Sequence, residues 1–421
     1  MHAMLHSRLG PRLGMLALLF FLWADPASFE AAYRAGLTAL NQNQLPAARA
    51  QLETASKLKP GDPRVWLALA QTYRKLDQDA PSKAAIAKAE SLAGNDPVTL
   101  HGLAFLYSEM GSYQKAASFE ARYAGMTPQD PNAIPRAVDL YLRADEPQPA
   151  IELASRALAK EDRADLRSLL GKAYGLEKNH AKAAEELRQA YALNPYEEAY
   201  YVEAARQSLM DGNPILAMRT VEAGKKIFAR SPQLELVLGI AYYVLEEYAN
   251  AVDSFLTAIR MDPTIEQPYA FIARTIEHAP SRLPEILEAF KALAQKTPGN
   301  YLSNYFYGKA LLFNGDDEQA EALLRKSVAL NGGYWESRLE LGKALEGKGA
   351  LDAALGEFRK AIELNPKDPT AHYRLGRLYD RLGKPDQAKA EYAIQKGLID
   401  EEESGPFRQQ RMTKGIEPGQ P

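Results

Sequence analysis

The stretch WESRLELGKALEGKGALDAALGEFRKAIELNPKD, residues 335–368, decides the fold. Leu341 and Gly342 open a helix-compatible run, Leu345 stands three residues on, and Gly349 ends it. Ala354, Phe358 and Ala361 follow, and Pro366 closes the unit. The same pattern recurs eleven times with a period of about 34 residues. In phase with Gly342 stand Gly36, Ala70, Ala104, Gly171, Ala205, Gly239, Ala273, Gly308 and Gly376. In phase with Ala354 stand Ala48, Ala116, Ala150, Ala183, Ala217, Ala251, Ala320 and Ala388. A period of this size belongs to a stacked-repeat solenoid, not to a globular enzyme core.

The spacing has a physical reading. Small residues at fixed points let two antiparallel helices, and then the next pair, approach closely. Gly111, Gly212, Gly315, Gly349 and Gly383 share the fifteenth position of their repeats, where a left-handed residue ends the first helix at no steric cost. Pro60, Pro128, Pro195, Pro263, Pro298 and Pro366 share the thirty-second, just past the second helix, where they forbid its continuation. Each helix alone is too short to be stable, so burial comes from stacked neighbours.

These markers resemble the tetratricopeptide repeat family over residues 29–402. They read Trp66, Leu69-Ala70 and Tyr73 in one copy, and Leu170-Gly171, Tyr174, Ala183, Leu187, Ala190 and Pro195 in another. A third copy has Leu238-Gly239, Tyr242, Ala251, Phe255, Ala258 and Pro263. The resemblance implies an all-α, right-handed superhelical solenoid of about eleven antiparallel helix pairs. Two repeats depart from it and are expected to be irregular. The fourth has Val138 where Gly or Ala is usual, with Pro147 and Pro149 at its turn. The eighth carries a one-residue insertion within His278–Pro284.

Composition agrees with a folded soluble chain: 46% apolar and 25% charged, in 421 residues that a solenoid can use without a single core. A net charge of −3 argues for neither nucleic acid nor a general polyanion partner. The chain has no cysteine, which excludes disulfides, thiolate catalysis and thiolate metal sites. Residues 1–12 carry Arg8 and Arg12 with no acid, Leu13–Trp23 is an unbroken apolar run, and Ala24 follows. That layout predicts a signal peptide or signal anchor over 1–24, hence export to the periplasm or a membrane-anchored position facing outward. The alternative is a cytosolic chain whose apolar run caps the first repeat. Residues 403–421 read as a disordered polar tail.

No catalytic constellation emerges. The six histidines supply no metal-binding pair at helical spacing within the array, and no His-Glu-x-x-His occurs. Gly171-Lys172, Gly308-Lys309 and Gly342-Lys343 are each followed by Ala, so none completes a phosphate loop. No enzyme activity, cofactor, metal or nucleic-acid partner is expected. What remains is surface.

In proteins of the resembled family the first helices of successive repeats line a concave groove. The ninth position there reads Leu37, Gln71, Phe105, Asp139, Lys172, Arg206, Ile240, Arg274, Lys309, Lys343 and Arg377. Six of the last seven are basic, a ladder of cations with Tyr243, Tyr305, Phe313 and Tyr373 at other inward positions. Glu277, Glu346 and Asp380 stand three residues after Arg274, Lys343 and Arg377 and are expected to neutralise them. Lys172, Arg206 and Lys309 are then the open rungs. The function that follows is an exported scaffold holding a protein or peptide partner, acidic and extended, in its groove. Exported relatives serve envelope assembly or secretion complexes, so that role is the expectation, with membrane contact confined to an uncleaved N-terminal segment. The alternatives are a non-catalytic regulatory or substrate-presenting subunit of an enzyme such as a glycosyltransferase, and a carbohydrate-binding module using the groove aromatics.

Overall fold

A computed structural model describes residues 28–404, which group into two compact units divided between Ala144 and Asp145. The proposed signal segment and the tail beyond Ser404 lie outside the described residues. Every regular element described is helical. The first unit holds α1 (Phe29–Asn41), α2 (Leu45–Leu58), α3 (Pro63–Lys75), α4 (Asp79–Leu92), α5 (Pro97–Glu109), α6 (Tyr113–Met126) and α7 (Ala133–Arg143). The second begins with α8 (Pro147–Leu158), α9 (Ala164–Leu176), α10 (His180–Leu193), α11 (Glu198–Met210), α12 (Pro214–Lys225), α13 (Pro232–Val244) and α14 (Tyr248–Met261). It continues with α15 (Gln267–Thr275), α16 (Leu283–Lys296), α17 (Tyr301–Phe313), α18 (Asp317–Leu330), α19 (Trp335–Gly347) and α20 (Leu351–Leu364), and ends with α21 (Pro369–Arg381) and α22 (Pro385–Ser404). Along the sequence these are the eleven expected pairs. Consecutive helices within each unit pack on one another, except α15 and α16, which are linked through two short helical turns, and turns this short make the packed neighbours antiparallel.

One backbone conformation makes most of the turns. The fifteenth position has a positive φ in ten repeats: at Gly111, Gly212, Gly315, Gly349 and Gly383, and also at Asn43, Asp77, Asp145, Lys178 and Glu246. The eighth repeat places Pro280 there, and a proline ring locks φ near −65°. The first helix, α15, accordingly shortens to nine residues and two 3₁₀ turns, Ile276–His278 and Pro280–Arg282, absorb the inserted residue. The fourth repeat's α7 is also short, at eleven residues.

The last residue of a repeat starts the next. Asp62, Asp96, Ser231, Asn300 and Asp368 each accept a backbone N–H of the following helix. The fourth position ties the same junction from the other side, donating to the carbonyl six residues earlier. Trp66 Nε1 reaches Pro60 O at 2.8 Å, Asn304 Nδ2 reaches Pro298 O at 3.1 Å and Arg338 Nε reaches Gly332 O at 3.0 Å.

Close approach within a pair is set by the eighth position and the residue sixteen further on. A Cβ on Gly342 would stand 2.5 Å from the Phe358 ring, and one on Gly239 2.5 Å from Phe255. Gly36, Gly171 and Gly308 meet Leu52, Leu187 and Leu324 in the same way. Where the eighth residue is Ala70 or Ala205, the counterpart is the β-branched Ile86 or Val221. The fourth repeat reverses the sizes in sequence, with Val138 and Ala154 at the two positions.

Two outcomes follow for stability. Gly342→Leu overpacks the contact with Phe358 and costs about 1–3 kcal/mol. Hydrogen exchange should rise mainly in α19–α22 and their neighbours, because repeats touch only adjacent repeats; an equal rise along the chain would contradict this. Glu246→Gly should stabilise by about 0.5–1 kcal/mol by relieving a left-handed non-glycine residue, and Gly349→Glu should do the reverse. Urea midpoints of the two variants check the sign.

Candidate functional site

The second unit presents its first helices α9, α11, α13, α15, α17, α19 and α21 in succession, and all six expected cations stand on them. Their surroundings correct the expected pairing. Arg206 lies 3.6 Å from Glu203, three residues before it, and Lys343 donates to Glu340 at 2.9 Å, again three residues before. Lys309 approaches the same Glu340 across the junction between repeats, at 3.5 Å. So Arg206 and Lys309, expected to be open, are paired. Arg274 and Arg377, expected to be neutralised, are exposed and, among the described residues, have no carboxylate within ion-pair distance; Lys172 is likewise exposed and open among them. The physical reason is orientation. An acid N-terminal to a base on a helix aligns better with the helix dipole than the reverse, and only Arg206 and Lys343 have one. The acids expected to neutralise the ladder are used elsewhere: Glu346 binds Arg381 at 2.9 Å and Asp380 accepts from the Tyr392 hydroxyl at 2.7 Å.

The open arginines are backed by aromatic rings. Arg274 lies 5.7 Å from the centre of Phe271, and Arg377 5.9 Å from Tyr373. Such contacts orient a guanidinium without neutralising it. The expected aromatics divide in two. Phe313 and Tyr373 are exposed, whereas Tyr243 is half-buried between Tyr248 and Phe271, and Tyr305 is buried against Tyr334 with ring centres 5.2 Å apart. Burial, and then the charge of Glu340, push the Tyr305 hydroxyl well above the usual tyrosine range.

Glu340 and Arg374 escaped the sequence reading. Both occupy the sixth position, where the three preceding repeats carry buried or core-lining Val237, Phe271 and Phe306. A charge following three apolar residues at that position was the available signal, in a column that also holds Arg136 and Glu203 in earlier repeats. The Glu340 side chain is only 6% exposed. Burial raises its carboxyl, but the charges of Lys343, Lys309 and Arg374, with the Lys343 hydrogen bond, outweigh it and hold the group below the usual range. Among the described residues no group of His, Asp and Glu is placed to hold a metal ion, and no helix is long and apolar enough to cross a membrane.

Tetratricopeptide repeat profiles match the sequence at three places, residues 33–98, 164–197 and 342–383. The chain is a tetratricopeptide repeat protein. Repeats of this family build protein–protein interaction scaffolds. No curated protein matches the sequence. Among solved structures, yeast Tom70 is 15% identical, with 91% of this chain and 95% of that chain covered and a TM-score of 0.41. The Cut9–Hcn1 hetero-tetramer of the APC/C is 12% identical over 93% and 97%, with a TM-score of 0.40. YrrB, described as a tetratricopeptide protein with an unusual peptide-binding site, is 20% identical over 52% and 94%, with a TM-score of 0.33.

The lowered Glu340 carboxyl makes a pH-dependent contribution to this repeat protein. A depressed folded pKa stabilises the fold above the unfolded value, near 4.5, and that contribution disappears as pH falls through the folded value. Glu340→Gln should therefore melt lower than the parent at neutral pH and lose less on acidification below about pH 4.5. Equal slopes of melting temperature against pH would show that Glu340 is not ionised in the fold.

Proposed function

We propose that this protein is an exported scaffold that holds an extended acidic segment of a partner protein along the first-helix face of its second unit. The observation that carries the reading is the register of the cations: the same repeat position supplies Lys172, Arg274 and Arg377, all exposed and, among the described residues, without an acid partner. Adjacent helices pack about 8–10 Å apart, and an extended chain advances about 3.3 Å per residue. The three open cations stand three repeats apart, so an acid at about every eighth or ninth residue of the partner keeps step with them. The aromatic backing of Arg274 and Arg377 holds these two heads in place at low entropic cost.

Export rests on the N-terminal sequence, with its paired arginines and uninterrupted apolar run over Leu13–Trp23. A role in an envelope assembly or secretion complex fits an exported scaffold with no chemistry of its own.

Both halves of the reading are testable. An alkaline-phosphatase fusion after residue 60 should be active in a bacterial host and lose activity when Leu16, Leu18 and Leu19 become Asp. An inactive parent fusion would overturn export. For the face, a fluorescein-labelled peptide alternating Glu with pairs of Ser should bind the parent at low salt and dissociate as salt shortens the Debye length towards about 3 Å at 1 M. The triple variant Lys172→Glu, Arg274→Glu, Arg377→Glu should fold normally and lose the peptide. Unchanged affinity in that variant would place binding elsewhere.

A further inference from the structure

A cavity of about 150 Å³ opens at the junction of the eighth and ninth repeats, between the start of α15, the end of α16 and the start of α17. Its floor is apolar. Tyr269 and Phe306 are buried there with ring centres 6.4 Å apart, and Leu293 and Leu302 flank them. A space of this size holds one benzene-sized group. At the next junction the corresponding position carries Tyr334, whose ring packs on Tyr301 and Tyr305 at 5.1 and 5.2 Å. Here that position holds Asn300, whose side chain is engaged in capping α17 through the Leu302 N–H at 2.8 Å. The smaller residue leaves the space open. Hydroxyls on the wall are already occupied: Thr264 donates to Asp262 at 2.6 Å, and Thr297 and Ser303 share a hydrogen bond at 2.6 Å. Two charges are not. Glu266 and Lys296 line the same cavity, both are exposed, and among the described residues neither is hydrogen-bonded or ion-paired, to the other or to any third group. Lys296 lends its field to Asp262 without pairing with it.

We propose that this cavity binds a free α-amino acid with a ring-sized apolar side chain. The side chain lies against Tyr269 and Phe306, the α-ammonium pairs with Glu266 and the α-carboxylate with Lys296. Removing the side chain from water supplies the affinity. The charges supply the selectivity, because they are opposite in sign and stay unpaired until one ligand bridges them. A residue inside a peptide has the side chain and neither charge; glycine has both charges and no side chain. Each satisfies only part of the site. Glu266 precedes α15 and Lys296 ends α16, so the bridging ligand ties together two helices that are otherwise joined through the 3₁₀ turns Ile276–His278 and Pro280–Arg282. Binding therefore stabilises the least regular repeat of the array. None of the ninth-position cations lines the cavity, so this site stands apart from the face proposed for the partner.

Saturation-transfer NMR of L-phenylalanine with the full chain tests the site. Binding should saturate with a Kd on the order of 1 mM, the range open to a ligand of this size. N-acetyl-L-phenylalanine amide keeps the ring and loses both charges; glycine keeps the charges and loses the ring. Each should bind at least about tenfold more weakly than phenylalanine. Glu266→Gln and Lys296→Gln should each weaken phenylalanine about two- to fivefold. Asn300→Tyr, which fills this junction as Tyr334 fills the next, should abolish binding. Far-ultraviolet circular dichroism confirms that each variant is folded, and the two exposed charge variants keep the test alive if Asn300→Tyr is not. Absence of saturable phenylalanine binding overturns the proposal. So does an amide that binds as tightly as the free amino acid, which would give the cavity to a peptide side chain instead. Phenylalanine binding that all three variants leave unchanged places the ligand elsewhere and overturns it as well. None of these outcomes bears on the acidic-segment reading, which the ninth-position triple variant tests separately.

Discussion

The distance between the two helices of a pair governs everything built on it. A missing Cβ at Gly36, Gly171, Gly239, Gly308 or Gly342 is filled by a Leu or Phe sixteen residues later, at separations where no ordinary side chain could be added. This is a lock of small on large. It fixes which face of the first helix turns inward to its partner, and so which positions are left to face the groove. The turn at the fifteenth position then needs only to reverse the chain. It does so with whatever residue tolerates a left-handed backbone, which explains why Lys178 and Glu246 can stand where glycine is the easier choice.

Stability and recognition are thereby assigned to different positions of one short repeat. Alanines at the twentieth position are fully or almost fully buried from Ala48 to Ala388 and leave nothing for a partner to touch. The fourth position is spent on the junction, where chemically unrelated side chains such as Trp66, Asn304 and Arg338 perform the same donation to a carbonyl. The inward positions of the first helix remain free to carry information about a partner. In the second unit the ninth position of those helices is mostly basic.

The architecture was legible because it depends on residue size and backbone conformation, which repeat in phase and can be read off one chain. Even the irregular eighth repeat was visible in its extra residue. The electrostatics were less legible. Knowing that Arg274 is followed by Glu277 does not say that the pair forms, since the choice depends on which side chain lies N-terminal and on what the next repeat offers. Lys309 illustrates the second point: its acid, Glu340, is 31 positions away in sequence and one helix away in space. Tyr305 was taken for a groove residue because its repeat position faces inward, but Tyr334, in the Asn331–Tyr334 turn before α19, covers it.

Glu340 on α19 is a buried charge held by the cations around it rather than by apolar packing. The three preceding repeats fill the same position with Val237, Phe271 and Phe306, where the sixth repeat has Glu203, and an apolar side chain there avoids the desolvation of Glu340 altogether. Replacing a buried ion cluster by apolar residues is often neutral or stabilising, so the cluster is hard to explain as a stabilising device. In a solenoid such a cost stays local, since each repeat rests only on its neighbours. A charged cluster can then be carried by repeats nine to eleven while the other repeats maintain the array.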